Sequence, residues 1–172
     1  MPPRFRLSLF RAVGDWFRRP SPPARRPAVP VAPDLQLQGL WSAVKAQYFP
    51  DVAVLDEYRV TWSRRRQRRV LASCNVRHLA VHVAQELAYP ALECWLEPLL
   101  FHEMCHAVIG REVERKRGRR CWHGAEFKAL VSRHPRTEDL EQWIKQGGWR
   151  HAVRSHRAKL SAARRPKRVC NA

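Results

Sequence analysis

Beyond residue 33 the apolar residues fall into two rhythms. Leu37, Leu40, Trp41, Val44 and Tyr48 recur every three or four positions, which predicts an amphipathic helix. Asp34 stands where an N-cap is wanted and Pro50 where the helix must stop. From residue 58 the period drops to two, with Val60 and Trp62, then Val70 and Ala72, then Leu79, Val81 and Val83. That pattern predicts two or three antiparallel strands, roughly 58–64, 68–75 and 77–83. Arg64, Arg65, Arg66, Arg68 and Arg69 fall between the first two runs and would sit at a hairpin tip.

The helical period returns in "AYPALECWLEPLLFHEMCHAVIG" and predicts a helix over about 97–109, with Pro98 in its first turn and Gly110 as its stop. "REVERKRGRR" reads as a charged loop. "HGAEFKALVSRH" reads as a second helix ended by Pro135, and "TEDLEQWIKQ" as a third, capped by Thr137 and ended by Gly147 and Gly148. These elements predict one α+β domain over 34–148, a small antiparallel sheet packed on the central helix with flanking helices. Residues 1–33, with "RRPSPPARRPAVPVAP", read as a Pro/Arg-rich head that builds no core. Residues 149–172 form a basic tail, read as either partly helical or a disordered arm.

Charge sharpens this picture. Lys and Arg number 33 against 15 Asp and Glu, a formal +18. Residues 51–110 carry seven of each sign, whereas 1–50 are net +6 and 111–172 net +12. A solvated surface is the plain interpretation. An excess this large favours a polyanion, nucleic acid ahead of an acidic membrane, because each contact to a phosphate releases a condensed counterion. The five cysteines form no CxxC pair, which argues against a disulfide scaffold. No apolar run approaches the ~18 residues of a membrane span. The basic N-terminal stretch lacks the apolar core of a secretion signal, so the cytoplasm is the expected compartment.

The chemistry concentrates in "LLFHEMCHAVIG". On a helix His102 and His106 share a face one turn apart, so both imidazoles can point at one ion, while Glu103 lies beside it and can take a proton from water. With 8 His and 10 Glu in the chain, an HExxH arises by chance in roughly one such sequence in fifty. A catalytic zinc needs a third protein ligand and an open fourth position. A glycine three residues after His106 and a histidine six after it would extend the motif, but Ile109 and Glu112 stand there. His123 and Glu126 remain as candidates, with Cys121 a weaker third. His78 and His82 read as surface or core histidines, His134, His151 and His156 as surface histidines without a specific role, Cys105 as a small buried hydrophobe, and Trp122 as packing.

Together "LLFHEMCHAVIG" and "HGAEFKALVSRHP" resemble the SprT-like (Spartan-type) zinc metalloproteases, in which an HExxH helix and a variable loop precede His-Gly-x-x-Phe. "AVKAQYF" is similar to that family's first helix and "VTWSRR…VLASC" to its opening strands, so the resemblance spans about 35–135. It implies a zincin-like (minigluzincin-type) domain and an endopeptidase holding Zn2+ through His102, His106 and His123, with Glu103 as general base; a monomer is expected. It also implies a supporting role for Glu126, a turn close to the metal at Gly124, packing of Phe127 beneath the site, and protein substrates crosslinked to DNA. The paired cysteines of the zinc ribbon common in bacterial members do not occur here, since only Cys170 follows Cys121. Two other classes compete: a non-catalytic nucleic-acid-binding protein on a zinc-bound scaffold, and a metallohydrolase of a non-peptide bond.

Overall fold

The computed structural model describes residues 34–64, 67–110 and 122–164, together with the backbone of 115–116 and 119–120. Helix α1, Leu35–Tyr48, starts as its sequence requires: Asp34 is extended, and its Oδ1 accepts the Leu37 N–H at 3.0 Å. Leu37, Trp41 and Val44 form its buried stripe, and the Trp41 indole N–H donates to the Leu55 carbonyl at 2.9 Å.

Strands β1 (Arg59–Trp62), β2 (Ala72–Asn75) and β3 (Ala80–Val83) form a mixed sheet in the order β1-β3-β2. β2 and β3 are antiparallel, whereas β1 and β3 are parallel. The expected all-antiparallel sheet is therefore corrected. Alternation marks a strand but not its partner, and the partner is set by the turn. Asn75 Oδ1 accepts the N–H groups of Arg77 and His78, folding the chain tightly between β2 and β3. Because β3 lies between β1 and β2, Arg64, Arg68 and Arg69 belong to a crossing connection rather than a hairpin tip; Arg65 and Arg66 lie outside the described residues. On the outer edge of β1, Gln38 donates to the Tyr58 carbonyl and accepts the Val60 N–H, and the Asp34 N–H donates to the Val60 carbonyl.

Helix α2, Leu96–Ile109, runs through the centre, with nine of its fourteen residues buried. It packs against α1, β2 and the next two helices. A 3-10 turn, Pro90–Trp95, leads into it. Gly110 ends it at φ 62°, in the left-handed region that favours glycine, and its N–H returns to the His106 carbonyl. Within the segment expected as a charged loop, β4 (Arg115–Lys116) pairs antiparallel with β5 (Arg119–Arg120). All four paired residues are basic, so no apolar alternation announces these strands.

Helix α3 covers Ala125–Val131, shorter than the expected span, and α4 covers Thr137–Lys145. Thr137 is not the cap of α4. Its hydroxyl donates back to the Val131 carbonyl, and Arg136 precedes the first turn. Helix α5, Gly148–Arg164, takes up most of the basic tail, the helical of the two forms expected for it, and packs on α4 and on the turn Gln85–Leu87. Trp149, Ala152, Val153 and His156 are buried along it, the i, i+3, i+4, i+7 stripe of a docked helix. His156 and His134, expected at the surface, are thus interior groups. His156 Nδ1 meets the Tyr89 hydroxyl at 2.8 Å. His134 Nδ1 accepts the Arg136 N–H, its ring lies against Tyr48 and Phe101, and its Nε2 is 3.5 Å from Glu97.

Because α5 is docked, ending the chain at Trp149 should do more than remove charge. It strips Ala152, Val153 and His156 from the body, and the expected loss is on the order of 2–5 kcal/mol, the scale of large core deletions. Urea unfolding of the shortened and full chains measures this; equal midpoints would mean that the helix contributes nothing to the fold.

Candidate metal centre

His102 and His106 project from the same face of α2, with ring centroids 5.1 Å apart. After Gly110 the chain leaves α2, and it comes back at Trp122 and His123, just ahead of α3. His123 then stands 5.8 Å from the His102 ring and 5.0 Å from the His106 ring. One nitrogen from each of the three imidazoles lies within 4.8 Å of the others. This is the cluster of potential metal ligands among the described residues, and all three members are half-buried.

Phe127, on the first turns of α3, holds the rings together. It stacks on His106 at 4.4 Å and 29°, and meets His102 and His123 edge-on at 5.0 and 4.7 Å. Its burial fixes α3 against α2 through the same contacts that orient the imidazoles. Trp122 approaches His106 edge-on at 6.2 Å.

Burial also decides the charge state. It pushes His102 down to about 3, with the neighbouring His123 adding to the effect, and His106 down to about 2, with His102 and His123 adding. His123 is lowered by burial and then by Lys128. The three rings are therefore neutral at pH 7, the form in which imidazole donates a lone pair. Closely spaced neutral imidazoles with no fourth His, Cys, Asp or Glu among the described residues fit a borderline divalent ion that keeps an open position.

Glu103 follows His102 in sequence but turns toward the sheet. It is buried, and its carboxyl accepts the backbone N–H of Cys74 on β2. Burial raises it to about 8, against the smaller opposing effect of that hydrogen bond. A carboxyl in this range both takes up and gives back a proton near neutral pH. The Cys74 thiol is pushed up to about 12 by burial and then by Glu103, and the buried Cys105 thiol also rises to about 12, so neither is poised as a thiolate.

Of the alternatives for a third ligand, Glu126 is exposed on α3 and outside the cluster, and Cys121 lies outside the described residues. Exposure also leaves Glu126 poorly placed for a supporting role. Gly124 is buried at φ −67° and ψ −171°, an extended conformation open to any residue, so no left-handed turn is required there. His82 is exposed and pairs with the Thr61 hydroxyl at 2.9 Å, and His78 and His151 are exposed. Sequence reasoning did not single out Cys74, whose backbone amide meets Glu103. A main-chain donor leaves no trace in residue type.

A family model described as the SprT-like family matches residues 37–146, more than half of the chain. No curated protein and no solved structure shows significant similarity. The matched span runs from the first turn of α1 to the end of α4 and contains the whole histidine cluster with Phe127 and Glu103. The chain belongs to the SprT-like family.

Proposed function

We propose that this protein is a zinc-dependent endopeptidase with a zincin-like, minigluzincin-type domain, working as a cytoplasmic monomer on proteins held at nucleic acid, DNA ahead of RNA. One observation carries the reading: three neutral imidazoles converge within 4.8 Å while a buried carboxyl occupies the position immediately after the first. Family membership supports it. His102, His106 and His123 hold the ion. Bound zinc supplies Lewis acidity, polarising a carbonyl and lowering the pKa of a water towards ~7.

The protein's own groups do the rest. Glu103 takes a proton from the attacking water at its carboxylate oxygen and returns it to the leaving amine nitrogen, ending as it began. The Cys74 N–H holds the carboxyl on the sheet side of α2, away from the ligand positions. Phe127 fixes the imidazole planes and keeps water from one side of the cluster. Support for a nucleic-acid setting comes from the +18 charge, which lies outside the neutral stretch 51–110 that carries the motif. No described helix is long and apolar enough to cross a membrane.

His123→Ala should lose most bound zinc, whereas Glu126→Ala should keep it; metal analysis of both purified variants decides between them, and the reverse pattern would move the third ligand to Glu126. Glu103→Gln should retain zinc and fold, since glutamine has nearly the same volume and the ligands are untouched. Its peptide hydrolysis should fall by about 10²–10⁴, the scale of a lost general base. Wild-type hydrolysis by a zinc-loaded Glu103→Gln protein would contradict the proposed role.

A further inference from the structure

Helix α5 carries four cationic side chains in its first twelve residues, Arg150, Arg154, Arg157 and Lys159, and no acid anywhere along its length. Their directions differ in a way that matters. Lys159 turns back over the Tyr89 ring, its Nζ 3.6 Å from the centroid, beside the Tyr89–His156 hydrogen bond that pins the helix. Arg150, Arg154 and Arg157 are exposed. At i, i+4 and i+7 they fall within about 60° of one another around the axis, and the second and third follow the first by about 6 and 10 Å along it. Among the described residues the ion pairs join Lys45 to Asp56, His134 to Glu97, Arg136 to Asp139 and Lys145 to Glu141; none reaches this row.

From this arrangement we infer that the Arg150–Arg154–Arg157 row of α5 is a docking rail for the phosphate backbone of a nucleic acid. The inference rests on the nucleic-acid part of the function proposed above and assigns it a surface. A row of planar, permanently charged guanidinium groups at repeated spacing suits a repeating polyanion, each group able to take a phosphate in bidentate fashion. An anionic membrane suits the helix less well. A surface-bound membrane helix needs exposed apolar side chains, but Trp149, Ala152 and Val153 are turned into the protein, and the exposed large hydrophobics among the described residues, Leu35 and Val54, lie elsewhere.

The mounting gives the row its consequence. Trp149, Ala152, Val153 and His156 are buried, α5 packs on α4, and α4 packs on α2, the helix that carries His102 and His106. A backbone bound to the row is therefore held at a set position relative to the histidine cluster, and a protein attached to it is presented from a fixed direction. A disordered basic arm offers no such register.

The test is salt-dependent binding of a fluorescent DNA oligomer to the full zinc-loaded chain, comparing Arg150→Gln/Arg154→Gln/Arg157→Gln with Arg59→Gln/Arg77→Gln, which removes exposed charge from β1 and from the turn between β2 and β3. Each lost phosphate contact reduces the log–log slope by about 0.9, so between 50 and 200 mM salt the triple variant's affinity should fall about 40-fold less than that of the wild type. The control should change little. An Arg→Lys triple, which keeps the charge at the same places, should retain the wild-type slope, and zinc content should be equal throughout. If wild type binds steeply but the triple variant keeps the wild-type slope, the rail is overturned and the nucleic-acid reading stands. If wild type does not bind DNA at 50 mM salt, that reading fails and the rail with it. Phosphatidylserine vesicles bound by wild type and released by the triple variant, with DNA unbound, would reassign the row to a membrane.

Discussion

Helix α2 has to serve two masters within fourteen residues. Leu96, Leu99, Leu100, Phe101, Met104 and Cys105 are buried in the core, while His102 and His106 lie together on the remaining face. The i, i+4 spacing that aligns the two imidazoles leaves Glu103 about 100° round the helix, where it meets β2. The constraint propagates outward. β2 must lie against α2 for its Cys74 amide to reach the carboxyl, and α3 must press Phe127 into the imidazoles to bring His123 within range. Gly110, at a φ that other residues reach only with strain, lets α2 stop one turn after His106.

The same burial that builds the core sets the chemistry. Removing three histidines and a carboxyl from water pushes the imidazoles toward neutrality and raises the acid toward the physiological range. No nearby cation among the described residues is needed to explain either direction for His102, His106 or Glu103. The excess positive charge of the chain lies outside the neutral stretch 51–110, and part of it appears on α5, whose arginines face solvent. Site and basic surface are thus separate features, joined mechanically through α4.

Much of this was legible in the residues. Periodicity located α1 and α2 to within a residue, Asp34 and Gly110 behaved as caps, and His102, His106 and His123 converge. The sheet's pairing was not legible, because alternating Val and Trp positions are compatible with either direction and the Asn75 turn decides between them. The buried stripe of α5 hid among arginines: Trp149, Ala152, Val153 and His156 keep helical spacing, but the charged residues between them dominate a reading by composition. His134 escaped for a related reason, lying between Arg133 and Arg136 while its ring packs against Tyr48 and Phe101. A polar residue flanked by charge is read as exposed unless its periodicity is weighed first.

The identity of the atoms around the metal tests the account most directly. X-ray absorption at the zinc edge of the purified, zinc-loaded protein should show first-shell scattering from nitrogen and oxygen only, fitted by three imidazoles at ~2.0–2.1 Å and one further light atom. A sulfur scatterer at ~2.3 Å would place a cysteine thiolate on the ion and contradict the assignment of His102, His106 and His123 as its three protein ligands.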